Sequence, residues 1–149
     1  MQPLEIGAMA PSLPGVDGDD GPRAVVFYKV TCPVCQMAAP KLASLEAAYP
    51  GRVIAIGQDP PAKLAEFDRT YGFRIPATPD LPPYEISNAF GVRVVPTTFL
   101  IDGGTVTDVV ESWDREALDR LSSALADRLG LQPRAVSDAS DGVPPFRPG

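Results

Sequence analysis

The chain has 149 residues, 44% of them hydrophobic, which suits one domain with a real apolar core. Lys and Arg number 13 against 19 Asp and Glu, a net charge of −6, so nucleic-acid binding by counterion release and polybasic attachment to anionic lipid are both excluded. No run reaches the ~20 continuous apolar residues of a membrane span, and no basic start precedes an apolar block, so a cytoplasmic protein without a membrane partner is expected.

Residues 1–23 read as a Gly-, Pro- and Asp-rich lead-in with Leu4 and Ile6 as its anchors. Ala24 to Tyr28 is a short apolar run with β-branched and aromatic members, the pattern of a strand buried on both faces. Pro33 suits the first position of a helix and makes Cys32 its N-cap, with Leu42, Leu45 and Tyr49 on one stripe and Pro50-Gly51 as the stop. Pro40 falls inside this helix, where it removes a backbone donor. Val53 to Gly57 predicts a second buried strand. Asp59-Pro60-Pro61 then supplies a cap and start for a helix carrying Leu64, Phe67 and Tyr71, ended by Gly72.

An extended piece is expected around Phe73 to Ala77, then a brief helix opened by Pro82-Pro83, with Ile86, Ala89 and Phe90 inward and Gly91 as terminator. Val92 to Ile101 is strand-like but broken by Pro96, and Asp102-Gly103-Gly104 turns it into the alternating strand Thr105 to Glu111. Asp114 caps a last helix whose Leu118, Leu121, Leu125 and Leu129 face inward before Gly130. Strands alternating with helices, closed by a hairpin, predict an α/β domain over 24–130 with a central mixed β-sheet flanked by helices. Residues 131–149, dominated by Pro, Asp, Ser and Gly, read as a disordered tail.

The chemistry rests on the 2 cysteines, since the sequence has 0 histidines. Ser-His-Asp and Cys-His catalysis and imidazole metal sites are thereby excluded, and two thiols alone cannot complete a zinc site, so no metal is expected. Cys32-Pro33-Val34-Cys35 is a C-x-x-C pair at the mouth of a helix. The free backbone N–H groups and positive helix end favour a thiolate at Cys32, lowering its pKa from about 8.5 into the range of roughly 3.5 to 7.5. Cys35 lies one turn further in on the same side and is expected to be buried, where it can resolve a mixed disulfide formed at Cys32.

These features resemble the thioredoxin-fold superfamily, and within it the TlpA/ResA-type branch of the redoxins. Leu4, Gly7, Ala10 and Pro11 are similar to that family's lead-in, and Val25-Val26-Phe27-Tyr28 before the cysteines to its active-site strand. Pro40 matches its helix proline, and the run from Phe90 to Asp102 resembles the stretch through its cis-proline into the central strand. The helix between Asp59 and Gly72 fits the inserted helix of this branch. The resemblance implies a thiol–disulfide oxidoreductase with Cys32 as nucleophile and Cys35 as resolving thiol. It further implies a cis Val95–Pro96 bond beside the cysteines, with Val95, Pro96 and Thr97 presenting a protein or small-molecule disulfide. No cofactor is needed beyond the dithiol, and electrons come from an external thiol reductant.

Two departures stand out. The buried aspartate and its lysine partner of thioredoxins correspond to Val26 and Ala55, and Gln36, Met37 and Ala38 replace the acidic residue that some relatives carry after the motif. Losing both members of a buried pair leaves no orphan charge, but it also removes the usual proton acceptor for the second cysteine. Water or a substrate group is then expected to take that proton. A lowered but not extreme Cys32 pKa and a reductant or isomerase-like poise follow, with Lys29 pointing either toward the thiol or away. Thiol-dependent peroxidase is the alternative enzyme, though Thr31 is out of register for a peroxidatic T-x-x-C motif. A non-catalytic interaction module using the tail as its contact is the alternative of another class.

Overall fold

The computed structural model describes residues 2–16 and 21–149; residues 1 and 17–20 of the lead-in lie outside the described residues. In chain order the elements are β1 (Arg23–Tyr28), α1 (Pro33–Ala48), β2 (Val53–Gly57), α2 (Pro61–Tyr71), β3 (Ala77–Pro79) and α3 (Glu85–Ala89). The chain continues with β4 (Thr97–Asp102), β5 (Thr105–Glu111), β6 (Trp113–Asp114), α4 (Arg115–Leu129) and β7 (Phe146–Arg147). Five strands form a mixed sheet in the order β3-β2-β1-β4-β5, with β1 parallel to β2 and antiparallel to β4. The predicted α/β sheet between helices is what the chain builds.

β1 is buried along its whole length because both faces of the sheet are covered. Successive side chains alternate between the faces. Ala24, Val26 and Tyr28 enter a core with Leu42 and Leu45 of α1, Leu64 and Phe67 of α2 and Leu118, Leu121 and Leu125 of α4. Val25 and Phe27 enter the opposite core with Phe90, Phe99 and Leu13, where Phe27, Phe90 and Phe99 form a ring cluster with centroids 5.1 to 5.6 Å apart. Val26 and Ala55 are direct partners in the β1–β2 ladder and are 0% and 1% exposed, so the expected exchange of a buried charged pair is an apolar contact.

Three local expectations are corrected. Ile6 is 68% exposed and anchors nothing, whereas Leu13 is buried and Leu4 packs at the edge of the same core. The extended piece expected at 73–77 is realised later, as β3, because Phe73 and Ile75 fill the core before the chain reaches the edge of β2. In α3 it is Ser87, not Ala89, that turns inward: the buried Asp80 carboxylate accepts from the Ser87 N–H (2.8 Å) and hydroxyl (2.6 Å) and rotates that side of the helix to the core. Gly91 ends the segment with φ +69, and the backbone of Gln2 and Pro3 crosses where a β-carbon would stand, so two separate demands require glycine there.

The largest correction is at the C-terminus. Residues 131–149 are not a free tail but run back over α4, α1 and β6. The Tyr49 hydroxyl pairs with Ser122 Oγ (2.9 Å) and accepts from the Arg134 N–H (3.0 Å), while Ser122 donates to the Arg134 carbonyl (2.5 Å). Val136 is buried, and its N–H donates to the Asp119 carboxylate (2.6 Å). Asp141 pairs with Lys41 (2.9 Å) and Arg115 (3.7 Å), and Trp113 Nε1–H donates to the Pro144 carbonyl (2.6 Å). β7 then pairs antiparallel with β6. A composition poor in apolar residues misleads here because the partners are polar side chains supplied by the folded body.

Candidate active site

The site lies where β1 hands over to α1. Two clamps fix that loop: the Val30 N–H donates to Asp59 Oδ2 (2.9 Å), and Gln36 Nε2 donates to the Val30 carbonyl (2.9 Å). Asp59 was expected to cap α2, yet the N-cap there is Pro60, and the carboxylate serves the cysteine loop instead. Cys32 is the N-cap of α1 with Pro33 at the start of the helix, as the sequence predicts. Its sulfur accepts from the Cys35 N–H at 3.2 Å, and its thiol donates to the Val95 carbonyl at 3.4 Å. Cys32 is half-buried and Cys35 is 1% exposed, both as free thiols.

The two sulfurs face opposite electrostatic tasks. The Cys32 pKa is lowered to about 6, first by a hydrogen bond from the Cys35 thiol, opposed by burial, and then by the Cys35 and Val34 amides and the Arg147 charge. The Cys35 thiol is pushed far up, first by its hydrogen bond to Cys32, then by burial, and further by the Cys32 charge, with backbone hydrogen bonding at Lys29 acting the other way. One sulfur carries a negative charge near neutral pH while the other keeps its proton.

Around the pair, the Val95–Pro96 bond is cis. Val95 brings its carbonyl to the Cys32 thiol, so the break before β4 reaches the cysteines. Thr97 is 0% exposed and its hydroxyl donates to the Val94 carbonyl (2.7 Å), so it braces the loop and presents no side chain outward. Val34 is buried beneath the loop and Pro33 is exposed. Lys29 points away, with Nζ 5.6 Å over the Tyr84 ring. Arg147, unsuspected from the sequence, comes from β7 and places Nη1 4.0 Å from Met37 Sδ on α1. The one available signal for it was indirect: with 0 histidines, any cation near the thiol must be Lys or Arg.

Residues 14–109 match the AhpC/TSA family. The chain belongs to that family. Among solved structures it is similar to a candidate thiol:disulfide interchange protein DsbE from Chlorobium tepidum, with a TM-score of 0.73 and 23% identity over 85% of this chain and 99% of that one. DsbF of Mycobacterium tuberculosis, solved in mixed oxidised and reduced forms, is 26% identical with a TM-score of 0.60 over 73% of this chain and 81% of its own. A secreted Mycobacterium tuberculosis disulfide oxidoreductase homologous to Escherichia coli DsbE gives a TM-score of 0.53 and 21% identity, covering 61% of this chain and 69% of its own. No curated protein matches the sequence. The resemblance to thioredoxin-fold redoxins is thereby borne out. No helix among the described residues is long and apolar enough to cross a membrane.

Proposed function

We propose that the protein is a thiol–disulfide oxidoreductase in which Cys32 attacks and Cys35 resolves. The observation that carries this is the Cys32 sulfur at the mouth of α1, half-exposed and receiving the Cys35 amide at 3.2 Å, with its partner thiol buried behind it. The Cys32 thiolate attacks one sulfur of a substrate disulfide, a mixed disulfide forms, and the other substrate sulfur leaves as a thiolate. Cys35 then attacks Cys32 Sγ, the second substrate thiolate departs, and two electrons have passed from the dithiol to the substrate. An external thiol reductant restores the pair.

The resolving proton has a ready account without the missing carboxylate. Two of the influences that hold the Cys35 proton, the hydrogen bond to Cys32 and the Cys32 negative charge, vanish once Cys32 is bonded to substrate. Burial alone remains, and the departing substrate thiolate or a water takes the proton. Val95 and Pro96 line the approach, with the Val95 carbonyl as the acceptor that an extended protein segment would meet; Thr97, Pro33 and Val34 hold the loop and helix start around the sulfur. The reading suits any compartment where an external thiol can recharge the pair, the expected cytosol among them.

The test is dithiothreitol-dependent insulin reduction. Cys32→Ser is expected to fall to the uncatalysed rate, and Cys35→Ser to accumulate mixed disulfides visible on a non-reducing gel. Equal rates for wild type and Cys32→Ser would favour the interaction module. Thiol-dependent peroxidase is the second reading, and hydrogen peroxide consumption with the same thiol is the assay that separates it.

A further inference from the structure

Residue 149 sits on the loop to which the proposed function assigns the substrate. Gly149 stands against the Val95 peptide so closely that a β-carbon there would collide with the Val95 carbonyl oxygen and carbon. Its N–H donates to Ser112 Oγ at 3.0 Å, while the Ser112 N–H donates to the Pro96 carbonyl at 2.8 Å. Two residues earlier, Arg147 is paired with Trp113 and reaches Met37 on α1. The segment therefore spans from β6 across the Val95–Pro96 loop toward the helix that carries both cysteines. The carbonyl it covers is the one that receives the Cys32 thiol at 3.4 Å.

The holding forces are unevenly spread. The stem, residues 134–145, is fixed through Tyr49, Trp113, Arg115, Asp119 and Ser122, and it contains the buried Val136. Residues 146–149 are all exposed, with two paired residues and single hydrogen bonds to hold them. A short exposed segment on a fixed stem opens at low cost, while the stem keeps it close enough to return.

We propose that residues 148–149, carried on β7, are a strap that sets substrate class: seated, it leaves Cys32 to small disulfides, and it must lift before an extended polypeptide can run along Val95. This rests on the oxidoreductase reading. A peptide adding its backbone to that loop needs the Val95 carbonyl free, and Gly149 stands in its place. Only the lifted fraction binds protein substrates, so their apparent affinity falls by that fraction, whereas a small disulfide needs only the half-exposed sulfur.

The experiment uses the full chain with Gly149→Val, whose side chain has no room beside Val95, so that residues 148–149 lift while β7, with Arg147 still paired to Trp113, and the stem remain. Rates are measured on insulin and on 5,5′-dithiobis(2-nitrobenzoate). The expected result is a gain of about threefold or more in kcat/KM for insulin with the small-disulfide rate unchanged, and a smaller gain in the same direction for Ser112→Ala. If wild type reduces both substrates and neither variant alters the ratio of the two rates, the strap is overturned and the oxidoreductase reading stands. A wild type inactive on both substrates overturns the two together.

Discussion

The two terminal segments of this chain are alike in composition and unlike in how they are held. The N-terminal lead-in pairs backbone to backbone with the sheet: Gly7 N–H to the Val106 carbonyl (2.8 Å), Val106 N–H to Ala8 (2.9 Å) and Ala10 N–H to Gly104 (2.8 Å). It covers part of the open edge of β5, far along the sheet from the cysteines, and blunts an edge that could otherwise recruit another strand. The C-terminal segment is gripped by side chains reaching out from helices and from β6, and its residue 149 lies against the Val95 peptide beside Cys32. A similar sequence texture thus serves stability at one end and the site at the other. What decides the difference is the location of the partners.

The comparison predicts that damage at the N-terminal end is large in stability and silent at the thiol. Leu13 is 6% exposed in the core with Phe27, Phe90 and Phe99. Leu13→Ala is expected to cost about 2–4 kcal/mol in urea denaturation. The Cys32 alkylation midpoint should stay at about 6. A Cys32 midpoint that moved with this variant would show that the lead-in also supports the site and would dissolve the contrast.

What could be read in advance follows the same division. β1, α1, β2 and α4 were legible because their own residues carry the pattern: unbroken apolar runs, Pro33 after an N-cap, and Asp114 accepting from the Ala117 N–H at 3.1 Å. The cysteine pair was legible for the same reason, the chemistry being local to four residues. Asp59, Ser112 and Arg147 were not, because each acts on something distant in sequence: Asp59 on Val30, Ser112 on Gly149, Arg147 on the thiol of α1. Side-chain-to-backbone contacts across such separations leave no periodic trace, so the tail looked free.

Arg115 sharpens the contrast from the other side. Its guanidinium donates to the Val143 carbonyl (2.5 Å) and to Ser137 Oγ (3.3 Å) and faces Asp141 at 3.7 Å. Arg115→Ala is expected to destabilise by about 1–2 kcal/mol, since hydrogen bonds to charged groups exceed neutral ones but this group is partly exposed. Trypsin cleavage after Arg134 should accelerate at the same time. The Asp141 carboxyl is held below the usual carboxylate range by the Ser137 hydroxyl first, then by Lys41 and the Val143 amide. A depressed carboxyl lends its stabilisation fully above the unfolded value near 4 and loses it as pH falls through the lower folded value. Tail protection from trypsin in wild type should therefore persist through neutral and mildly acidic pH, and unchanged cleavage in Arg115→Ala would mean the stem is held elsewhere.

The smallest effect on stability belongs to the residue with the most direct line to the chemistry. Arg147 is exposed, so Arg147→Ala should change the unfolding free energy by less than about 0.5 kcal/mol. Its charge nevertheless favours the Cys32 thiolate, after the Cys35 thiol and the Cys35 and Val34 amides. A thiolate is present above its pKa and lost below it, so wild-type iodoacetamide reactivity should be flat from neutral pH upward and fall as pH drops through about 6. Removing the cation disfavours the thiolate, so the midpoint moves up; Arg147→Lys keeps the charge and holds it near the wild-type position. Added salt should shrink the difference between Arg147→Ala and wild type, because an exposed charge acting through solvent is screened. A tail that only packed against the body would leave the midpoint where it is in all three proteins, and the two ends of the chain would then differ in position without differing in role.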